Sequence, residues 1–279
     1  MAAYRVGKID LSQIECRILN TIAGQWDVVE KFGRGVDLYS ELASQFYGYP
    51  IDKSKPSERG TGKQLELSCG YGAGAATIVR TARAGAYGPP VRLTLDQGVQ
   101  ARDLYRNTHP NVVQLWEYGN FCLFYLRTKQ NVNWLLSPAG CNLEIRDGRI
   151  FHPCGLWLDY TSLDYGANIN VQTGLELDPK TLYYRVREGW RKMYGGRFVE
   201  NIIQWLASIP IRHRMVEINR RFGWRIPLTV HDDIFMLVPN TRQGLEDFER
   251  AKAMMETPLD WLPECPIACE GEPMDALDK

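Results

Sequence analysis

The sequence predicts an α+β protein on three observations. A short strand is followed by a helix at the N-terminal end, helical periodicity dominates the middle, and a strand–turn–strand pattern stands near the C-terminal end. Residues 4–10 read as the first strand, ending at Asp10. Ile14, Ile18, Leu19 and Ile22 then recur at helical spacing until Gly24. Asp37 opens a second helical run, LYSELASQFYG, which Gly48 closes, and residues 52–57 form a polar loop containing Pro56. A third helix starts near Ser57 and runs through RGTGKQLELSCGYG. Further helical sequence is interrupted by a turn at residues 87–90, and VQLWEYGNFCLFYLRTK reads as a mostly buried helix. Residues 142–160 switch to short strands around Asp147-Gly148, a two-residue hairpin signal. Helical periodicity resumes at about Thr181 and lasts to Gly223. Residues 226–239 then read as strand, tight turn and strand, with His231, Asp232 and Asp233 near the tip.

A length of 279 residues suits about two domains and a sizeable core. Hydrophobic residues make up 44% and charged residues 24%, and no apolar run approaches the roughly 18 residues of a membrane span. The N-terminus lacks the apolar core of a secretory signal, so a cytoplasmic setting is expected. The seven cysteines are odd in number and scattered, without a CxxC pair, which predicts reduced, mostly buried thiols. Net charge is zero but unevenly spread: residues 181–225 hold ten Lys or Arg against three acids, and residues 232–279 hold twelve acids against four bases. That asymmetry suits a phosphate-facing stretch beside a separate acidic region, and a solvated basic helix face explains the first part equally well.

Three segments carry candidate chemistry. In DLSQIECR, Asp10 sits at a strand end just before a helix, a good position for a metal ligand, while Ser12 and Glu15 have the spacing of a helix capping box. In VHDDI, adjacent Asp232 and Asp233 repel each other and are best tolerated when solvent or a cation neutralises them. An Asp-rich turn is the plainer reading, yet the flanks are apolar rather than Gly or Asn. Two aspartates converging from distant parts of a chain can hold two Mg²⁺ ions about 4 Å apart. The third segment carries Arg59, Lys63, Leu67 and Tyr71 at intervals of four, one gently drifting helical stripe with its positive members near the helix start. Such a start favours a bound polyphosphate, although an amphipathic helix with a solvated basic edge looks the same. Gly60, Gly62, Gly70 and Gly72 each cost about 1 kcal/mol in a helix interior, which suggests close approach by a partner or a mobile helix.

In this order the segments resemble the family A DNA polymerases, in particular their phage members. DLSQIECR resembles motif A, D-x-S-Q-I-E-L-R; RGTGKQLELSCGYG resembles motif B, R-x-x-x-K-x-x-x-[FY]-x-x-x-Y-G; VHDD resembles motif C, V-H-D-E. YGGRFVENIIQWLA, the hairpin around RDGRIFHP and the ending PLDWLPECPIACEG extend the likeness over nearly the whole chain. The resemblance implies an antiparallel palm at residues 1–19 and 186–279, and helical fingers at residues 20–185 with a β insertion at about 140–165. It implies DNA synthesis from dNTP on a primer-template, with two Mg²⁺ held by Asp10 and Asp232 and by the Leu11 carbonyl, and with Asp233 as the second acid of motif C. Glu15 would exclude a 2′-hydroxyl, Arg59 and Lys63 would hold the triphosphate, and Lys63 would protonate pyrophosphate. Tyr71 would pack beside the templating pair. Arg197, Asn201, Gln204 and His231 would lie along the DNA.

Several positions depart from the family pattern. Leu67 replaces Phe or Tyr, Cys16 replaces Leu, Asp233 replaces Glu, and Asn201 and Gln204 are three rather than four apart. The sequence begins about ten residues before motif A, so a thumb, the rest of the palm and any exonuclease are expected from a second polypeptide or a precursor segment. The alternatives are a non-catalytic DNA-binding or structural subunit that kept the fold, and a single-subunit RNA polymerase. The filled acidic positions argue against the first, and Glu15 in its SQIE context argues against the second.

Overall fold

A computed structural model describes residues 3–135, 141–169, 177–230 and 232–274. Along the chain it forms β1 (Tyr4–Leu11), α1 (Ile14–Ala23), α2 (Trp26–Gly33), α3 (Leu38–Tyr47) and α4 (Pro56–Gln64), the last continuing into a π-helical turn at Leu65–Cys69. Then come α5 (Ala75–Ala84), α6 (Leu95–Thr108), α7 (Pro110–Thr128), β2 (Val132–Leu135), β3 (Asn142–Arg146), β4 (Arg149–Phe151), β5 (Trp157–Asp159) and β6 (Asp164–Tyr165). β7 (Leu182–Val186), β8 (Gly189–Met193), α8 (Gly195–Phe222), β9 (Leu228–Val230), β10 (Asp233–Pro239), α9 (Arg242–Met255) and β11 (Cys269–Met274) complete it. The α+β expectation is met. The chain divides into two compact units, residues 1–18 with 203–279 and residues 19–202, so the divisions fall inside α1 and α8. The second lies later than the boundary expected after residue 185, because the first turns of α8 pack within the larger unit. There Phe198 meets Tyr160 and the Asn201 amide donates to the Tyr160 and Tyr184 hydroxyls.

The smaller unit is built on an antiparallel sheet in the order β11-β1-β10-β9. Strict alternation along β1 buries Gly7, Ile9 and Leu11 on one face and leaves Lys8 and Asp10 half-buried on the other. Ile234, Met236 and Val238 of β10 join the buried face, and α9 covers it with Phe248, Ala251 and Met255. A Cβ on Gly7 would stand 2.6 Å from Val238 and 2.7 Å from Phe248, so the absence of a side chain there is what lets the helix seat. The Thr241 hydroxyl caps α9 by accepting from Gly244 N at 3.0 Å.

The larger unit packs α2 to α7 beside two small sheets, β2-β3-β4-β5 and β6-β7-β8. Thr94 and Gln97 form a reciprocal capping box on α6, and Pro110 starts α7 where its missing N–H costs nothing. The Asp147-Gly148 turn has φ of 51° and 72°, as a two-residue hairpin between right-twisted strands requires. Three expectations are corrected. Residues 182–193 are a β-hairpin, and helix begins only at Gly195. Helix α7 is less buried than its composition suggests, since Tyr118, Phe121 and Phe124 are exposed. Two glycines of the third helical segment, Gly62 and Gly70, serve close approach within the chain. A Cβ on Gly62 would lie 1.9 Å from the Tyr39 carbonyl oxygen of α3, and one on Gly70 would lie 2.8 Å from Leu19. All seven cysteines are free thiols, five of them buried, and no helix among the described residues is long and apolar enough to cross a membrane.

Candidate active site

Antiparallel pairing sets Asp10 of β1 directly opposite Asp233 of β10 on one side and Glu270 of β11 on the other. Directly opposed residues share a sheet face, so three carboxylates from distant parts of the chain form a row on the face that α9 does not cover. Asp232 occupies the turn between β9 and β10, half-buried, and its carbonyl oxygen lies 3.5 Å from the N–H of fully buried Leu11. His231, expected beside it, lies outside the described residues. Burial, followed by the charges of Asp232 and Asp233, pushes the Asp10 carboxyl up to about 6, with Lys8 opposing and Glu270 adding to the rise. Lys8 Nζ stands 3.1 Å from Asp233 Oδ1, an ion pair without hydrogen-bond alignment. Asp10 Oδ1 is buried with no hydrogen-bond partner among the described residues.

Such an oxygen is a donor awaiting a cation. Among the described residues no group of three or more His, Cys, Asp or Glu side chains is gathered closely enough to hold a metal. Two carboxylates are nonetheless the normal protein share of a Mg²⁺ site, because that ion keeps waters and substrate phosphate oxygens as its other ligands. The all-oxygen donor set of Asp10 and Asp232 fits a hard divalent cation on that basis.

Glu15 lies half-buried in the first turn of α1. The capping box expected with Ser12 is out of register. The first helical hydrogen bond runs from Arg17 N to Gln13 O, which makes Gln13, at φ of 55°, the residue before the helix. Ser12 is instead held by its backbone, donating to Ala268 O at 3.0 Å and accepting from Arg17 Nε at 2.7 Å. The helix start is thereby stitched to the segment leading into β11.

Arg59, Lys63, Leu67 and Tyr71 belong to the larger unit. Only the first two lie on α4. Leu67 is half-buried in the π-helical turn and Tyr71 is buried beyond it, so the stripe expected from spacing by four is broken where the winding widens. Arg59 is engaged: Nε and Nη2 donate to the two Asp37 oxygens at 2.7 and 3.1 Å. Burial opposes ionisation of Asp37, but the Arg59 and Ser40 hydrogen bonds outweigh it and hold the carboxyl below its usual range. Lys63, half-buried, makes no hydrogen bond or ion pair among the described residues. Lys63→Ala should therefore leave the unfolding free energy within about 0.5 kcal/mol of wild type. Thermal unfolding of the two proteins checks this, and a larger loss would mean that Lys63 is a structural group.

Of the other expected residues, Arg197 pairs loosely with Glu200 at 3.8 Å and Gln204 is exposed on α8. The Asn201 NH₂ group is spent on two tyrosine hydroxyls. Sequence reasoning missed Lys8 and Glu270. Lys8 was open to discovery, being two residues before Asp10 on a strand and so on the same face. Nothing local marks Glu270, which only the pairing of β11 with β1 brings to Asp10.

Residues 2–118 match the family model described as DNA polymerase family A. The DNA polymerase of Bacillus phage SP02 is 24% identical over 290 residues, covering 97% of this chain and 40% of the phage protein. DNA polymerase I of Mycobacterium bovis is 38% identical over a 63-residue stretch, 23% of this chain and 7% of that protein. Among solved structures, the POL domain of Pol1 from M. smegmatis, in complex with DNA primer-template and dNTP, matches with a TM-score of 0.65 and 19% identity. That match covers 99% of this chain and 40% of the other, so the fold is that of a polymerase domain, and the chain spans about 40% of the length of such relatives.

Proposed function

We propose, from the match of residues 2–118 to the model of DNA polymerase family A, that this chain is the catalytic portion of a DNA-directed DNA polymerase. It transfers nucleotides from dNTP to a primer 3′ end. The observation that carries the reading is the convergence of Asp10 with Asp232 and Asp233 at one end of one sheet, with a buried Asp10 oxygen left unpartnered. The unit containing β1 and β10 would be the palm and residues 19–202 the fingers.

Asp10 and Asp232, with the Leu11 carbonyl, would hold two Mg²⁺, and Asp233 would support them from its pair with Lys8. When bound, such ions make the primer hydroxyl a better nucleophile and offset charge on the phosphate under attack. The side chains do the rest. Lys63, unpaired among the described residues, would neutralise the triphosphate and supply a proton to departing pyrophosphate. Arg59 would join it by exchanging Asp37 for phosphate, both being bidentate partners for a guanidinium. Tyr71 would flank the templating pair, while Arg197, Gln204, His231 and the Asn201 Oδ1 would face the DNA. A thumb and further palm strands would come from another polypeptide or precursor segment, since duplex affinity rests on many phosphate contacts.

Primer extension with Mg²⁺ and dNTP, by the chain alone and with a thumb-bearing polypeptide added, tests the reading. Extension in the second case is the expected result. Retained primer-template binding with no extension in either would turn the proposal into a non-catalytic DNA-binding subunit.

Glu15 would close the sugar pocket against a 2′-hydroxyl. Glu15→Ala is expected to raise ribonucleotide incorporation relative to deoxynucleotide by about tenfold or more, the worth of one steric or hydrogen-bonded contact of about 1.4 kcal/mol. An unchanged ribo-to-deoxy ratio together with a lowered melting temperature would assign Glu15 a structural role instead.

A further inference from the structure

Within the larger unit, the end of α7, residues 161–169 and strand β8 surround a hollow of about 430 Å³, a volume in the usual range of ligand pockets. Buried Leu163 and half-buried Trp190 give it apolar surface, and Arg127 and Lys129 bring positive charge. The Trp190 ring makes no hydrogen bond or ring contact among the described residues. Asp164, the carboxylate of the lining, is already engaged. Arg127 Nη1 stands 3.8 Å from its Oδ1, which also accepts from Tyr165 N at 2.8 Å and Asn168 Nδ2 at 2.9 Å. The exposed Lys129 ammonium has no partner among the described residues.

Strand pairing carries the charge beyond the hollow. Arg185 of β7 lies directly opposite Trp190 of β8, and Lys192 follows two residues on, so the three share one face of the hairpin. Arg185 and Lys192 are exposed. Residues 180–192 hold five Lys or Arg against one Glu, and Arg185, Arg187 and Arg191 make no ion pair among the described residues. Cations gathered this densely repel one another, and a polyanion relieves the repulsion. A lone phosphate or an acidic peptide would use the cations and leave the flat face of Trp190 idle. A duplex keeps its bases stacked inside and offers the tryptophan only its backbone. A single strand presents both partners, a run of phosphates and unstacked bases, each with a π-face. We propose that this hollow and the basic face beside it bind single-stranded DNA, with one base against Trp190 and the flanking phosphates on Lys129, Arg127 and Arg185. The Ser162 hydroxyl, which accepts from Arg185 N at 3.0 Å, keeps its proton to donate to a base edge. The choice of DNA over RNA rests on the polymerase reading above.

Fluorescence anisotropy of a labelled short oligothymidylate, titrated with the chain in the absence of Mg²⁺ and dNTP, tests this. Saturable binding is expected, weakened by about tenfold in Trp190→Ala and by about threefold or less in Trp190→Phe, which keeps a stacking face. Lys129→Ala and Arg185→Ala should each flatten the fall of log affinity with log salt by about 0.7, the share of one phosphate contact on a single strand. Binding of a blunt duplex should be insensitive to Trp190→Ala. Asp10→Asn should bind the oligonucleotide like wild type, so failure of the metal assignment and failure of this site are told apart. Wild-type affinity in folded Trp190→Ala overturns the proposal, as does an equal loss of duplex and single-strand binding. If Trp190→Ala fails to fold, unchanged salt slopes in the two variants at exposed cations overturn it.

Discussion

Asp10→Asn is expected to lose nucleotide addition by about 10³-fold or more and, in the absence of divalent cations, to melt at a higher temperature than wild type. Activity falls because the proposed metal site loses one of its two charged carboxylates, and groups that stabilise transition-state charge are worth several kcal/mol. Stability moves the other way because of Asp10's surroundings. In the folded chain its carboxyl keeps a proton up to about pH 6, against an ordinary value of 3.8, owing first to burial and then to Asp232 and Asp233. Between those values the folded state holds more protons than the unfolded one, so stability falls as pH rises through that window. The penalty is fully present at pH 7. Asn carries no charge and escapes it, gaining about 1 kcal/mol once partial solvent exposure is discounted. The gain should disappear below about pH 4, where both states are protonated. Mg²⁺ should raise the melting temperature of wild type and leave the variant unmoved. Asp232→Asn should share the loss of activity. Normal Mg²⁺-dependent extension by either variant would sink the metal assignment, and a variant less stable than wild type at pH 7 would mean that Asp10 is satisfied by a partner in the folded chain.

Gly62→Ala is the second substitution with a large expected effect. Its new methyl group would lie 1.9 Å from the Tyr39 carbonyl oxygen and 3.0 Å from the Ala43 nitrogen, both backbone atoms of α3 that cannot rotate away. The two helices would have to part, at a cost of about 1–3 kcal/mol, more than the gain of about 1 kcal/mol in helix propensity. The Arg59–Asp37 pair, which ties α4 to the start of α3, would stretch with them. Gly60→Ala is the internal control: its methyl group meets nothing closer than 3.4 Å, so the propensity gain should survive. Melting temperatures ordered Gly60→Ala, wild type, Gly62→Ala are expected. If Gly62→Ala melted with wild type, α3 and α4 would not be packed this closely in solution.

How far the fold and site were legible follows from the range of the forces involved. The strand ending at Asp10 and the Asp147-Gly148 hairpin are local patterns, a period of two and a turn that demands positive φ, and both could be read directly. The turn between β7 and β8, Arg187-Glu188, lacks that signal, since neither residue is Gly or Asn and neither has positive φ. It went unread because the basic residues around it continue smoothly into the genuine helix α8. Helix α2 was passed over for its shortness, only eight residues between two glycine-bounded runs. The π-helical turn has no signature in spacing, since residues four apart suggest an α-helix whatever winding they adopt. Its cause is packing around buried Leu65, Glu66 and Cys69. Asp10 and Asp232 were nominated from sequence because each stands at a strand end. Glu270 joins the acidic row only after β11 has paired with β1.

The central place of β1 in its sheet makes its length more critical than most of its letters. β10 and β11 grip it on both edges, so its register is fixed at every residue from Tyr4 to Leu11. Deleting one residue before Asp10 would turn each following side chain to the opposite face, burying the carboxylate beneath α9 and presenting Ile9 or Leu11 to the acidic side. Exchanges at the exposed end of the strand, around Tyr4, alter one contact each. A change in length there acts as a change of reading frame in three dimensions, and gene libraries of this chain should show β1 tolerant of point substitution and closed to insertions and deletions.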